Sequence, residues 1–263
     1  MTSRLMRRLD FRTPRVIAAL VLREMSTTYG RSAGGYFWAI AEPVAGTVLL
    51  TAVFSFLAKS PPLGNNFALF YASGLVPFLM YSTVASKVAM AVKFSKPLLV
   101  YPRVTYLDAI IARFLLAALT QILVMYLLFT YLLMSSDTAT VIDFDAIGLA
   151  ILMAMALGVS IGTLNCLLFS VFPVWANLWS VLNRPLFLLS GVIFTYELLP
   201  ESMAKVLWFN PLLHLTGKMR EGFYPTYSPN YISLPYYAAW CFVPLVIGLF
   251  FLRRYHKKIL NEL

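Results

Sequence analysis

Charge is scarce in this sequence. Only 12% of the residues are Asp, Glu, Lys or Arg, about half the share that an ordinary soluble domain needs to cover its surface. Cysteine is nearly absent. Cys166 and Cys241 each sit inside an apolar run, so they are read as small buried hydrophobes rather than a disulfide or metal pair. Histidine is limited to His214 and His256, far apart in the chain. There is no H-E-x-x-H, no Cys/His cluster and no Ser–His–acid set that spacing supports. The phosphate loop G-x-x-x-x-G-K-[ST] is missing, so the chain does not cradle a nucleotide by that mechanism. Asp137, Asp143 and Asp145 fall in one loop, where a solvated turn accounts for them better than a catalytic pair. A cleavable leader is not visible. Val16–Leu22 is short, is interrupted by Arg23 and Glu24, and lacks a well-placed small-residue cleavage site, so the N-terminus is expected to stay on the protein.

Apolar residues, by contrast, make up 60% of the chain, more than a soluble core can use and as much as a bilayer accepts. A spanning helix needs about 20 mostly apolar residues. Six segments qualify: Phe37–Leu57, Phe67–Ala85, Phe114–Met134, Ala146–Phe172, Val174–Tyr196 and Leu234–Leu252. The fourth and fifth are separated by Pro173, which lacks an N–H and disfavours helix in Phe172 before it; a tight hairpin is expected there. With no repeat, low-complexity tract or linker, residues 1–263 are expected to form one all-α membrane domain.

The net charge of +10 raises the possibility of nucleic-acid binding, but the basic residues cluster between apolar runs, as membrane topology requires. Sixteen Lys and Arg lie on one side: seven in the N-terminal arm (residues 1–36), five between spans two and three, and four after span six. The opposite side holds Lys59, Lys205, Lys218 and Arg220. The bias places both termini in the cytoplasm, and an even number of spans demands the same.

Two segments are neither spans nor plain loops. Thr13-Pro14 is an N-cap followed by proline at the first helical position, opening a basic amphipathic helix to about Tyr29. It is expected to lie in the cytoplasmic interface or, alternatively, to pack on the bundle. On the outer side, residues 198–231 are too apolar for a solvated loop. A short helix over Glu201–Phe209, a break at Asn210-Pro211 and a second helix over Leu212–Gly222 are expected, dipping back into the outer leaflet or a pore mouth.

Glu42 and Arg184 are charges inside spans one and five. A charge at that depth costs at least about 2.5–3.5 kcal/mol and usually faces a bundle interior or water. The two line a polar path or pair with each other; otherwise Glu42 belongs to the interface and Arg184 snorkels. Aromatics are 15% of the chain. Tyr36, Phe37 and Trp38 open span one, Phe187 and Phe194 follow along span five, and Trp208 and Phe209 lie in the outer segment. An interfacial belt explains most of them. The alternative is a path on which sugar C–H faces slide over aromatic faces, and sequence does not separate the two.

Several strings resemble the type-2 ABC transporter permeases, closest to the subgroup that exports capsular polysaccharide. They are Leu22-Arg23-Glu24, Tyr29-Gly30, the run from Gly35 to Pro43, Gly74-Leu75-Val76-Pro77-Phe78, the run from Asp108 to Arg113, the run from Arg184 to Gly191, the run from Trp208 to His214, and Arg220-Glu221. They cover nearly the whole chain in order. The resemblance implies a half-transporter of the bacterial inner membrane. Two copies form the channel, and two separate ATPase subunits carry ATP and Mg, leaving this chain without cofactor or catalytic residues. The cargo implied is lipid-linked polysaccharide, handed to a periplasmic and outer-membrane export apparatus.

The resemblance also implies roles for particular residues. The loop over residues 93–106 is a coupling helix for the ATPase, with Lys93, Ser95 as N-cap, Lys96, Pro97, Leu98, Tyr101 and Arg103. The amphipathic helix is an interface helix. Residues 198–231 match re-entrant gate helices with Asn210-Pro211 as elbow and Trp208 and His214 beside it. Arg220 and Glu221 pair across the mouth or bind anionic sugar. Tyr36, Phe37, Trp38, Glu42, Arg184, Phe187 and Phe194 line the substrate path. Competing possibilities are the same fold with O-antigen, teichoic acid, lipid or drug as cargo, a membrane-embedded transferase acting on lipid-linked sugars, and a passive channel or scaffold.

Overall fold

The structure is a computed structural model that describes residues 12–28, 35–99, 104–135 and 141–262. The described residues form ten α-helices and one 3-10 turn, with no strand among them. The amphipathic helix α1 covers Arg12–Thr28, so Thr13 and Pro14 lie inside its first turn rather than serving as N-cap and first helical residue. It packs against α5 (Tyr106–Met134), the bundle-packed alternative, with Glu24 turned inward and Leu22 exposed. Helices α2 (Gly35–Leu57), α3 (Phe67–Ala89), α6 (Phe144–Val171) and α10 (Leu234–Glu262) follow the expected apolar runs, as α5 does.

Local chemistry sets the helix starts. Asn66 caps α3 by accepting the Leu69 N–H at 3.2 Å. Thr105 and Asp108 cap α5 reciprocally, each side chain taking the other's backbone N–H, an arrangement worth about 1 kcal/mol. Asp143 caps α6 through the N–H groups of Asp145 and Ala146, which gives one of the three loop acids its role.

The core is α3, held between α5 and α6. Gly158 and Gly162 on α6 allow the closest approach. A Cβ on Gly158 would stand 2.8 Å from the Val84 side chain, and one on Gly162 would stand 2.7 Å from Val88 and 2.8 Å from the Ala85 carbonyl. Small residues four apart bring two helix backbones together where no hydrophobic force between helices operates. Helix α10 lies on the other side of α6, where the Tyr237 hydroxyl donates to the Met153 carbonyl at 2.9 Å.

The fifth expected span is shorter than predicted. Pro173 does start a new helix, α7 (Pro173–Leu189), at its first position. The helix stops after 17 residues, roughly 25 Å of rise, instead of reaching Tyr196. Ser190 turns its hydroxyl to the Phe187 carbonyl at 2.6 Å, and Gly191 follows at φ +76, a left-handed conformation that glycine adopts without a Cβ clash. The chain then runs buried through Val192 and Thr195 to a 3-10 turn at Tyr196–Leu198. Among the described residues five helices are long and apolar enough to cross a membrane, and α7 is not one of them.

The expected single helix over residues 93–106 is also different. Helix α4 spans Ala91–Leu99, residues 100–103, with Tyr101 and Arg103, lie outside the described residues, and α5 has begun by Tyr106. Ser95 is not an N-cap but a buried residue in the middle of α4.

Candidate functional site

Helix α7 forms one wall of a cavity. Its first turn is folded back on α6 by Trp175, whose indole N–H donates to Asn165 Oδ1 at 2.9 Å. Further along, Asn183 donates to the Ser82 hydroxyl of α3 at 3.3 Å, and the Phe187 ring meets the Phe78 ring edge-on at 5.3 Å. Between these ties α3, α6 and α7 border an open cavity of ≈ 370 Å³, lined by Phe78, Phe169, Trp179 and Phe187 together with Ser86, Ser180 and Arg184. Arg184 is exposed, and no residue of α7 is fully buried. The cavity gives its guanidinium a polar outlet from an otherwise apolar helix. Five N–H donors, two hydroxyls and four aromatic rings suit a hydroxylated or anionic solute.

Arg184 and Phe187, three residues apart on α7, both line this cavity. The α2 residues are not part of this cavity lining. Phe37 and Trp38 are exposed and contact each other edge-on at 5.8 Å, and the side chain of Tyr36 lies outside the described residues. Glu42 is exposed, and the expected Glu42–Arg184 pair is not formed among the described residues. Phe194 contributes its backbone, through Arg220.

The segment after the 3-10 turn forms α8 (Glu201–Leu207) and α9 (Pro211–Phe223), close to the expected bounds. Asn210 holds the elbow between them. Its Oδ1 accepts the Leu212 N–H at 3.1 Å, its Nδ2 donates to the Leu189 carbonyl at 2.9 Å, and Pro211 occupies the first helical position. The elbow is thus tied to the end of α7. Trp208 stacks on Tyr236 at 4.8 Å and donates its indole N–H to the Tyr231 carbonyl. His214 is fully buried. Its Nδ1 accepts the Ser233 N–H, so Nε2 carries the proton and donates to the Trp208 carbonyl at 2.8 Å. Burial pushes this imidazole below its usual value, partly offset by the Trp208 bond.

Arg220 does not pair with Glu221 and is closed to solvent and so to sugar. It is 1% exposed, donates to the carbonyls of Phe194 at 2.7 Å and Val192 at 2.8 Å, and lies over the Phe70 ring at 4.2 Å. Glu221 takes Lys218 at 2.8 Å instead. Arg220 is a clamp on the strand of chain that leaves α7. Its expected role failed because the carbonyls of residues 192–194 are freed by the Gly191 turn, which the apolar run Val192-Ile193-Phe194 concealed.

On α4, Lys93 and Pro97 are exposed and Lys96 and Leu98 half-buried. Beneath them lies a constellation that the sequence did not reveal. Arg113, counted there as a loop charge, is on α5 and bridges Glu24 of α1 at 2.7 Å. The only sequence signal was an acid on the inward side of a basic helix and a matching base at the foot of a span.

The chain matches the family described as ABC-2 type transporter over residues 15–224. It is 30% identical to the polysialic acid transport protein KpsM of Escherichia coli, over 94% of this chain and 95% of that one. It is 27% identical to the capsule polysaccharide export inner-membrane proteins CtrC of Neisseria meningitidis serogroup A and BexB of Haemophilus influenzae, over 93% of this chain and 92% of each of theirs. With its described residues all helical, five long apolar helices among them, and a family match that runs from α1 to the end of α9, the chain belongs to the ABC-2 type transporter family.

Proposed function

We propose that this chain is the permease subunit of an ATP-driven exporter that moves lipid-linked capsular polysaccharide across the bacterial inner membrane. The observation that carries this is the end-to-end similarity to proteins named for capsule or polysialic acid export. Two copies form the channel, and two cytoplasmic ATPase subunits bind ATP and Mg, so the permease holds no cofactor and catalyses no reaction. A periplasmic and outer-membrane apparatus receives the polymer.

In this reading α7 is the fifth of six spanning helices, completed by the buried chain after Gly191, and both termini are cytoplasmic. Helices α8 and α9 are the re-entrant gate, with Asn210-Pro211, Trp208, His214, Arg220 and Glu221 holding its shape. The substrate path runs past Tyr36, Phe37, Trp38 and Glu42 on α2 and past Arg184, Phe187 and Phe194 on and after α7. The cavity beside Arg184 supports this, since a cation, hydroxyls and ring faces are what a sugar phosphate needs. Helix α4, with Lys93, Lys96, Pro97 and Leu98, meets the ATPase, and Ser95 faces the bundle.

Deletion of the gene in the native host tests the function. Long-chain polysaccharide should accumulate inside the cell while the surface is bare, and the intact gene should restore export. Unchanged surface polysaccharide would move the assignment to another cargo on the same fold.

A further inference from the structure

We propose that Arg113 is a positioning residue that locks α1 and α4 into one body, so that force delivered to α4 by the ATPase reaches α1 and is converted into transport. The proposal rests on the coupling role given to α4 above.

One guanidinium touches three other elements. Its Nη2 meets Glu24 Oε1 of α1 at 2.7 Å, and its Nε donates to Glu24 Oε2 at 3.3 Å. Its Nη1 donates to the carbonyl of Lys87, in the last turn of α3, at 3.2 Å. Its face lies 4.2 Å from the centre of the Phe94 ring of α4. Phe94 is itself 45% exposed, so the ring that carries the cation also belongs to the outward side of α4, next to exposed Lys93.

This is a built joint rather than a surface pair. The two side chains are 6% and 10% exposed. The adjoining void, lined in part by Leu20, Thr27, Phe94 and Ser95, is only ≈ 10 Å³, at the limit of what one water needs. Close packing without slack transmits a displacement instead of absorbing it. The planar fork, with both ends of the carboxylate engaged, also fixes direction, which a lysine ammonium does not. Stability alone is a weak reason for such a pair, because well-packed apolar residues of the same volume serve as well or better. What the ion pair adds is a directional link between chain segments 89 residues apart.

The test uses the permease co-expressed with its ATPase in nanodiscs and in inverted membrane vesicles. Spin labels on Ser26→Cys of α1 and on Met90→Cys, at the exposed turn that opens α4, with Cys166 and Cys241 replaced by Ala, report the separation of the two helices. With Arg113 in place the separation should be the same with and without ATP, and a change of several ångström overturns the proposal. Arg113→Lys and Glu24→Gln should still co-purify with the ATPase and hydrolyse ATP, while polysaccharide moved per ATP falls about tenfold, the range of ordinary site–site coupling. The label separation in these variants should become ATP-dependent. Variants that couple as well as the unaltered chain overturn this proposal alone. An unaltered chain that binds no ATPase overturns the coupling reading and this proposal with it.

Discussion

Arg220 gives two N–H groups to the carbonyls of Val192 and Phe194, rests on Phe70, and leaves its Nε without a hydrogen-bond partner among the described residues. Replacing it by Met would keep much of the volume and strand two buried carbonyls. Each such loss costs about 1–3 kcal/mol, so R220M should lower thermal stability in detergent markedly, by roughly 3 kcal/mol in all. Glu221, one residue on, takes Lys218 in a half-exposed pair. Pairs of that kind contribute roughly 0–1 kcal/mol, so E221Q should melt close to the unaltered chain. Intrinsic tryptophan fluorescence on heating compares the two. Equal losses would contradict the clamp assigned to Arg220.

Among the elements, α3 and α6 depend on the bare backbone at Gly158 and Gly162. A methyl at Gly162 meets the Ala85 carbonyl at 2.8 Å as well as Val88, so repacking one side chain does not relieve it. G162A should therefore cost about 1–3 kcal/mol, the range for an overpacked core, whereas G148A, with open space at its Cβ, should be neutral. Denaturation of both variants in the same detergent checks this. Much of the element map was legible in the sequence because it followed from apolar run length and from single strong signals. Pro173 split α6 from α7, and Asn210-Pro211 split α8 from α9. The end of α7 was hidden because Val192, Ile193 and Phe194 are as apolar as a span yet fold under α9. The Glu24–Arg113 joint was hidden for a different reason. Its partners are 89 residues apart, and only the packing of α1 on α5 brings them into contact. The Gly158–Gly162 spacing was present in the sequence as a small-residue motif but leaves no mark in hydropathy.

At the scale of the whole molecule, α3, α5 and α6 are largely buried while α2 and α10 carry many exposed large apolar residues. In a bilayer those faces meet lipid or a second copy. Six crossings require α7 to span the bilayer even though it is short, and topology decides this. Alkaline phosphatase fused after Ser228 should be active, and a fluorescent protein fused after Leu263 should be bright, because six spans put the first outside and the second inside. An inactive phosphatase fusion at Ser228 with an active one at Leu263 would mean five crossings.

The most direct test of the exporter assignment is translocation itself. Inverted inner-membrane vesicles holding this chain and its ATPase are given lipid-linked polysaccharide and ATP, and polymer protected from external glycosidase is measured over time. Protection that requires ATP, the ATPase and this chain together is the predicted result. Protection that proceeds equally without ATP, or without this chain, would contradict the account.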